Sequence, residues 1–286
     1  VTDDRPLPPG LHRETLAVRS ALPRSQYGEN AEALFLTSSF VQPDAETSAR
    51  RFAGTEEGFT YTRTSNPTVA SFEQRLAALE GTEAAIGASS GMGAILMLCM
   101  GLLKAGDHVV CSRSVFGSTL NLIGREFGKF GVETTFVSQT DVAEWKAALR
   151  PDTRLLFAET PTNPLTDVCD IRALADIAHD AGALLVVDNC FCTPALQRPT
   201  EYGADLVIHS GTKYLDGQGR VLAAPSAARR GSSTTCSAPW CAPPAWRCRP
   251  STRGWCSRAW KRWASACRRT APTRSRWRSG CRTSPG

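Results

Sequence analysis

Asp205-Leu-Val-Ile-His-Ser-Gly-Thr-Lys-Tyr-Leu-Asp-Gly-Gln-Gly-Arg220 joins an apolar run to a lysine set among small hydroxyl residues, then to a glycine-rich turn. Leu206–His209 is near-continuously apolar and reads as a strand buried on both faces. The pattern recurs upstream in Ala84–Ala88, His108–Ser112, Thr134–Ser138, Leu155–Ala158 and Leu184–Asp188. Helical stretches separate these runs: Gly93–Leu103, Gly117–Phe130, Val142–Leu149 and Ile171–Asp180. Ahead of them, Asn66-Pro67 reads as a helix start, with Asn as N-cap and Pro at the first helical position. Val69, Phe72, Leu76 and Leu79 follow at helical spacing, and Gly81 ends the helix. Strands apolar on both faces, alternating with helices, predict an α/β fold: a mostly parallel sheet flanked by helices. Residues 1–60, polar and interrupted by Pro and Gly, read as an extended arm.

Ligands of such sheets bind at the carboxyl ends of the strands. Ala88-Ser-Ser-Gly-Met-Gly93 links a strand to a helix, and its glycines let backbone N–H groups approach an anion such as a phosphate. Taken alone, a tight βα turn without a ligand is the plainer reading. Asp188 ends its strand, and a buried carboxylate there needs a cationic partner; an arginine or a protonated pyridine nitrogen would serve equally. Lys213 follows Leu206–His209 with the hydroxyls of Ser210 and Thr212 beside it. A lone lysine is usually a solvated surface residue. In a dry pocket it loses its proton more easily and becomes a nucleophile for a carbonyl. The three elements together fit one ligand, pyridoxal 5'-phosphate, with its phosphate, pyridine nitrogen and aldehyde.

These segments resemble the pyridoxal-phosphate-dependent enzymes of cysteine and methionine metabolism. The resemblance is carried by Tyr61-Thr-Arg-Thr-Ser-Asn-Pro-Thr68, Ser90-Gly-Met-Gly-Ala94, Glu159-Thr-Pro-Thr-Asn-Pro164, Val187-Asp-Asn189 and His209-Ser-Gly-Thr-Lys-Tyr214. Their order and spacing match across residues 34–222. The resemblance implies the large domain of an aspartate-aminotransferase-like, type I fold, here spanning residues 61–222 and incomplete.

It also implies roles. Lys213 would form the Schiff base with the cofactor and later move protons. Asp188 would hold the pyridine nitrogen protonated. Ser90 and the backbones of Gly91 and Met92, with Ser210 and Thr212, would cradle the phosphate. Asn163 would lie by the ring hydroxyl. Phe116 stands where most members have a tyrosine stacked on the ring; it keeps the stacking but lacks the phenol. Tyr61 and Arg63 would reach the phosphate of a neighbouring subunit, so a homo-oligomer, dimer or tetramer, is implied.

Arg113-Ser-Val-Phe-Gly-Ser118 and Gly217-Gln-Gly-Arg-Val-Leu222 look most like the O-succinylhomoserine sulfhydrylase branch, which exchanges succinate for sulfide to give homocysteine. Cystathionine γ-synthase or γ-lyase is the alternative within enzymes. A non-catalytic cofactor-binding remnant is the alternative outside them. The bland readings of nearby residues are also kept: His209 as strand-end packing, Cys190 and Cys192 as packing on one side, and Glu159 as a local hydrogen-bond partner or a support of the pocket.

Composition changes abruptly after Arg220. The net charge of +6 averages two unlike parts: residues 221–286 hold 14 Lys/Arg and no acid, leaving 19 Lys/Arg against 27 acids in residues 1–220. Six of the seven Trp and six of the 11 Cys also lie in the tail, while Ile, Phe, Tyr and Met are missing from it. Without these it has no amphipathic face to bury, and disorder is the expectation for residues 223–286. The tail cysteines lack close pairing and any histidine, which argues against zinc. A polar start and no membrane-length apolar run point to a cytoplasmic protein, in which disulfides are not expected.

The family resemblance implies a Gly-Gly-Ala-Val-like continuation, where this chain has Ala223-Ala-Pro-Ser-Ala-Ala-Arg229. Codons GCG GCG CCG TCT GCG GCC CG, preceded by a G and read one base earlier, encode Gly-Gly-Ala-Val-Cys-Gly-Pro. A lost reading frame would explain the tail's Arg, Ala, Pro, Trp and Cys together. It would also remove the C-terminal domain, impairing folding and turnover. A genuine basic, nucleic-acid-binding tail is the rival reading. The partners implied for the body are small: an amino-acid ester and sulfide.

Overall fold

Six strands of one sheet run in the same direction and bring their carboxyl ends to one edge. The computed structural model describes residues 10–218 and 222–228. The helices are α1 (Arg13–Arg19), α2 (Ala45–Ala53), α3 (Pro67–Glu80), α4 (Gly91–Leu102), α5 (Gly117–Leu120), α6 (Val142–Ala147), α7 (Ile171–Asp180) and α8 (Thr193–Leu196). The strands are β1 (Ala84–Ala88), β2 (His108–Ser112), β3 (Glu133–Val137), β4 (Thr153–Glu159), β5 (Leu184–Asp188), β6 (Leu206–Ile208) and β7 (Ala224–Ala228). They form a seven-stranded sheet in the order β1-β7-β6-β5-β4-β2-β3. All pairings are parallel except those of β7, which runs antiparallel to both β1 and β6.

Both sheet faces are covered, which is why the strands are apolar throughout. Val109, Cys111, Leu155, Phe157, Val186 and Ile208 pack on one face with Ala94, Ile95 and Leu98 of α4. Val110, Leu156, Ala158, Leu185 and Val187 pack on the other with Trp145 of α6 and Leu174 and Ala178 of α7. The period-2 alternation assigns successive residues to opposite helical layers. Each fully buried Leu or Phe in these layers contributes about 2 kcal/mol.

The helix boundaries follow their caps. Asn66 accepts from Thr68 N–H, Pro67 opens α3, and Gly81 closes it at φ 71°. Ser90 accepts from Gly93 N–H, so α4 starts two residues before the predicted Gly93.

Three expectations are corrected. Residues 10–60 are not simply an extended arm. They hold α1 and α2, the latter capped by the Asp44 side chain on Thr47 N–H and ended by Gly54 at φ 72°. The helix predicted over Gly117–Phe130 is instead α5, a π-helical turn at Asn121–Glu126 and a 3-10 turn at Gly128–Phe130. There Gly124 faces the Phe136 ring, which a β-carbon would meet at 2.8 Å. Finally, the sheet does not stop at residue 222. β7 inserts between β1 and β6, and both neighbours satisfy its backbone. The expectation of disorder for the rest of the tail falls on residues outside the described ones, as does the extended-arm expectation for residues 1–9.

Candidate active site

Asp188 and Glu159 close β5 and β4 and stand opposite one another in the parallel register. Asp188 is only partly covered by the chain, and its Oδ1 accepts from Cys190 N–H at 3.1 Å. Desolvation, reinforced by the neighbouring Glu159 charge, pushes its carboxyl up from 3.8 to about 8. Among the described residues it makes no salt bridge. A carboxylate so placed lacks the cation that would keep it ionised.

Glu159 is buried, at 3% exposed. Its Oε2 accepts from Phe116 N–H at 2.7 Å. The Asn163 N–H also bonds to it, and burial nevertheless raises its pKa. One carboxylate therefore ties down the backbones of Phe116 and Asn163, the two residues expected beside a cofactor ring. Both of their side chains remain exposed.

The other elements meet on the next strands. Gly91, the first residue of α4, packs so close to Ser210 that a β-carbon would lie 3.3 Å from the Ser210 β-carbon. The α4 N-terminus thus lies against the hydroxyl loop after β6, and the N–H groups of a helix N-terminus suit a phosphate. Ser90 is occupied in capping α4. Met92 accepts from Thr119 Oγ1 at 3.9 Å.

Ser210 opens the tight helical turn Gly211–Leu215, inside which Lys213 leaves the helical region at φ −95°, ψ −126°. Thr212 N–H donates to the Ala223 carbonyl at 3.2 Å, and its hydroxyl lies 3.5 Å from the same oxygen. A β-carbon on Gly211 would come within 3.0 Å of that carbonyl. Ala223, the residue that leads into β7, therefore supports the lysine loop directly.

Cys190, two residues beyond Asp188, donates its N–H to that acid. Burial, Asp188 and Glu159 push its thiol up to about 11, opposed by the Ser210 N–H and the Lys213 charge. The Lys213 side chain is exposed, so the described residues alone do not enclose it in the dry pocket expected.

Tyr61 and Arg63 contact one another. An isolated antiparallel bridge pairs Tyr61 with Ser39, and the Arg63 guanidinium stacks over the Tyr61 ring at 4.7 Å. Neither bonds to Gly91, Ser210 or Thr212 among the described residues. His209 is wholly buried, with Nε2 bonded to Glu80 Oε1 at 2.6 Å.

The model of the Cys/Met metabolism PLP-dependent enzymes matches residues 14–232. The chain belongs to this family. The O-succinylhomoserine sulfhydrylase of Pseudomonas aeruginosa is 56% identical over 211 residues, covering 74% of this chain and 52% of that protein. The L-methionine gamma-lyase of Porphyromonas gingivalis is 45% identical over 210 residues, covering 73% and 53%. A crystal structure assigned as an O-acetylhomoserine (thiol)-lyase from Campylobacter jejuni matches with a TM-score of 0.74 at 30% identity, covering 77% of this chain and 54% of that one. It carries an N'-pyridoxyl-lysine-5'-monophosphate residue. The chain spans about half the length of the curated relatives it matches.

The cofactor of this PLP-dependent family is pyridoxal phosphate. The residues present fit it. Asp188 is an acid without a cation among the described residues, Gly91 and Ser210 pack together with no side chain on Gly91, and Lys213 is an accessible amine on the loop that Ser210 opens. Among the described residues, no helix is long and apolar enough to cross a membrane.

Proposed function

We propose that this chain carries the cofactor-binding half of a cytoplasmic homo-oligomeric enzyme that replaces the succinyl group of O-succinylhomoserine with sulfide. The γ carbon–oxygen bond breaks, succinate leaves, and a carbon–sulfur bond forms at the same carbon to give homocysteine. The observation that carries the cofactor part is Asp188: an acid pushed up to about 8, with no cationic partner among the described residues, at a strand end beside the Gly91–Ser210 cradle.

Bound pyridoxal phosphate would supply an aldehyde that condenses with amines and a ring that withdraws electrons from the attached carbon. Asp188 would pair with the ring nitrogen. The N–H groups of Gly91 and Met92, with the hydroxyls of Ser210 and Thr212, would take the phosphate, Ser90 holding the turn by its cap. Phe116 would stack on the ring and Asn163 would lie at its hydroxyl, both set by Glu159. Lys213 Nζ would anchor the cofactor and then take a proton from the substrate's α carbon and another from its β carbon. Tyr61 and Arg63 would complete the phosphate site of a second copy. Phe116 has no phenol, so proton transfer falls to Lys213.

The choice of ester and of sulfide is supported by likeness to the Pseudomonas aeruginosa relative. Likeness to the L-methionine gamma-lyases supports a second reading, elimination without a sulfur acceptor. Incubation with O-succinylhomoserine and either sulfide or cysteine separates these readings. Homocysteine from sulfide supports the first. Cystathionine from cysteine, or a 2-oxo acid and ammonia without any thiol, contradicts it. For residues 223–286, β7 included, we keep the lost-frame reading, with an impaired product as its consequence.

A further inference from the structure

We infer that Glu80 is a positioning residue, the hub of a buried hydrogen-bonded belt that fixes the heights of the three strand ends carrying the site. This inference rests on the cofactor reading of Asp188 and Lys213. Glu159, Asp188 and Ile208 end neighbouring strands in one register row. The next residue on each strand is Thr160, Asn189 or His209, and all three are 0% exposed. By the two-residue alternation of strands, these side chains leave the row on the side opposite to the site residues.

A continuous chain of bonds joins them. His209 Nε2 and Glu80 Oε1 are 2.6 Å apart, and Asn189 Nδ2 donates to the same oxygen at 3.4 Å. Gln197 Nε2 donates to Asn189 Oδ1 at 3.0 Å and to the Thr160 carbonyl at 2.9 Å. Asn189 Nδ2 donates in turn to the Gln197 carbonyl at 2.8 Å. Backbone bonds run along the same row, from Thr160 N–H to the Asp188 carbonyl at 3.2 Å and from Asn189 N–H to the Ile208 carbonyl at 2.8 Å. Glu80 is itself held, as Thr200 Oγ1 donates to its carbonyl at 3.0 Å.

A wholly buried carboxylate at the C-terminal end of α3 is costly in an apolar environment and against the helix dipole. Glu80 Oε1 takes both bonds, from His209 and from Asn189, while Glu80 Oε2 and His209 Nδ1 are buried without a hydrogen-bond partner among the described residues, so the acid links β5 and β6 through one oxygen. Gln197 extends that link to β4. The belt touches no reacting atom. It sets where Asp188 and the Ser210–Lys213 loop leave the sheet, and misplacement of such groups weakens binding steeply.

The test compares the 286-residue chain with its Glu80→Gln, Glu80→Ala and Gln197→Ala variants. Pyridoxal phosphate is titrated into each and followed by visible absorbance, and amide exchange is measured without cofactor. Glu80→Ala is expected to weaken cofactor binding by about tenfold and to speed exchange selectively at Asn189 and His209, relative to Val109–Cys111. Glu80→Gln keeps an acceptor for both donors and should restore most of the affinity. Gln197 is only partly buried, so its alanine variant keeps the test open if Glu80→Ala does not fold; it should loosen Thr160 and Asn189 and weaken binding less. Unchanged or uniformly faster exchange would overturn the brace. Selective exchange with parent-like affinity would overturn its positioning role. A parent chain that takes up no cofactor would overturn the functional reading, and the positioning role with it, whatever the exchange shows.

Discussion

Glu159 and Asp188 lie side by side on β4 and β5, and the first raises the pKa of the second while gripping the Phe116 N–H. Two acids on neighbouring strand ends are unfavourable unless a cation joins them. The site is thus built to receive positive charge at Asp188.

The pH dependence of the cofactor-free chain follows from that pair. Native Asp188 keeps its proton up to about 8, whereas its ordinary value is 3.8. Between those two pH values the native state binds more protons than the unfolded state, so its stability falls as pH rises. Asp188→Asn removes that contribution. Its unfolding free energy relative to the parent should improve by on the order of 2 kcal/mol across the window, read from denaturation at several pH values. Parallel curves for the two proteins would contradict this. The variant should also bind pyridoxal phosphate more weakly.

Removing the neighbouring charge should act on the same titration. In Glu159→Gln the like charge is gone, so Asp188 should titrate at lower pH, which carboxyl absorption in the infrared can follow. The amide carbonyl can keep one of the two N–H partners, so either Phe116 or Asn163 should become more mobile. An unmoved Asp188 titration would mean that burial alone sets it.

Much of this arrangement was legible in the residues. Ala84–Ala88, His108–Ser112 and Leu184–Asp188 are apolar on both faces and end in turn or polar residues, so their strand limits could be read directly. Asn66-Pro67 and Gly81 bounded α3 in the same way. β7 could not be read, because Ala224-Pro-Ser-Ala-Ala228 lacks the β-branched and aromatic residues that mark strands, and its conformation comes from pairing with β1 and β6. The π-helical turn at Asn121–Glu126 shares its apolar spacing with an ordinary helix. The caps Asp44 and Gly54 did announce α2, but the surrounding polar sequence hid it. At the site, Asp188, Gly91, Ser210 and Lys213 follow strand ends and could be found by position. Glu80 and Gln197 could not, since only folding brings them to residues more than 100 and 35 positions away in sequence.

Gly203 makes a stability test of the approach to β6. Its φ is +105°, and a β-carbon would lie 2.7 Å from that of Ala175 on α7. Gly203→Ala combines a strained backbone with a clash in the core layer and should cost roughly 1–3 kcal/mol in chemical denaturation. A loss near zero would show that α7 yields easily.

The tail reading can be checked at the level of the gene. Read one base earlier from the codon of Ala223, the DNA should encode Gly-Gly-Ala-Val-Cys-Gly-Pro and continue without a stop through a further domain. Expression of that restored frame should give much higher turnover than the 286-residue chain. A gene in several independent isolates with no such open frame would contradict the reading.

The central claim is that Lys213 anchors pyridoxal phosphate opposite Asp188. Incubating the chain with pyridoxal phosphate, reducing with borohydride and mapping the modified peptide tests it most directly. The account predicts a single reduced pyridoxyl group on Lys213, absent from Lys213→Ala and diminished in Asp188→Asn. Labelling spread over Lys104, Lys129 and Lys146, with Lys213 no more reactive than these, would contradict it.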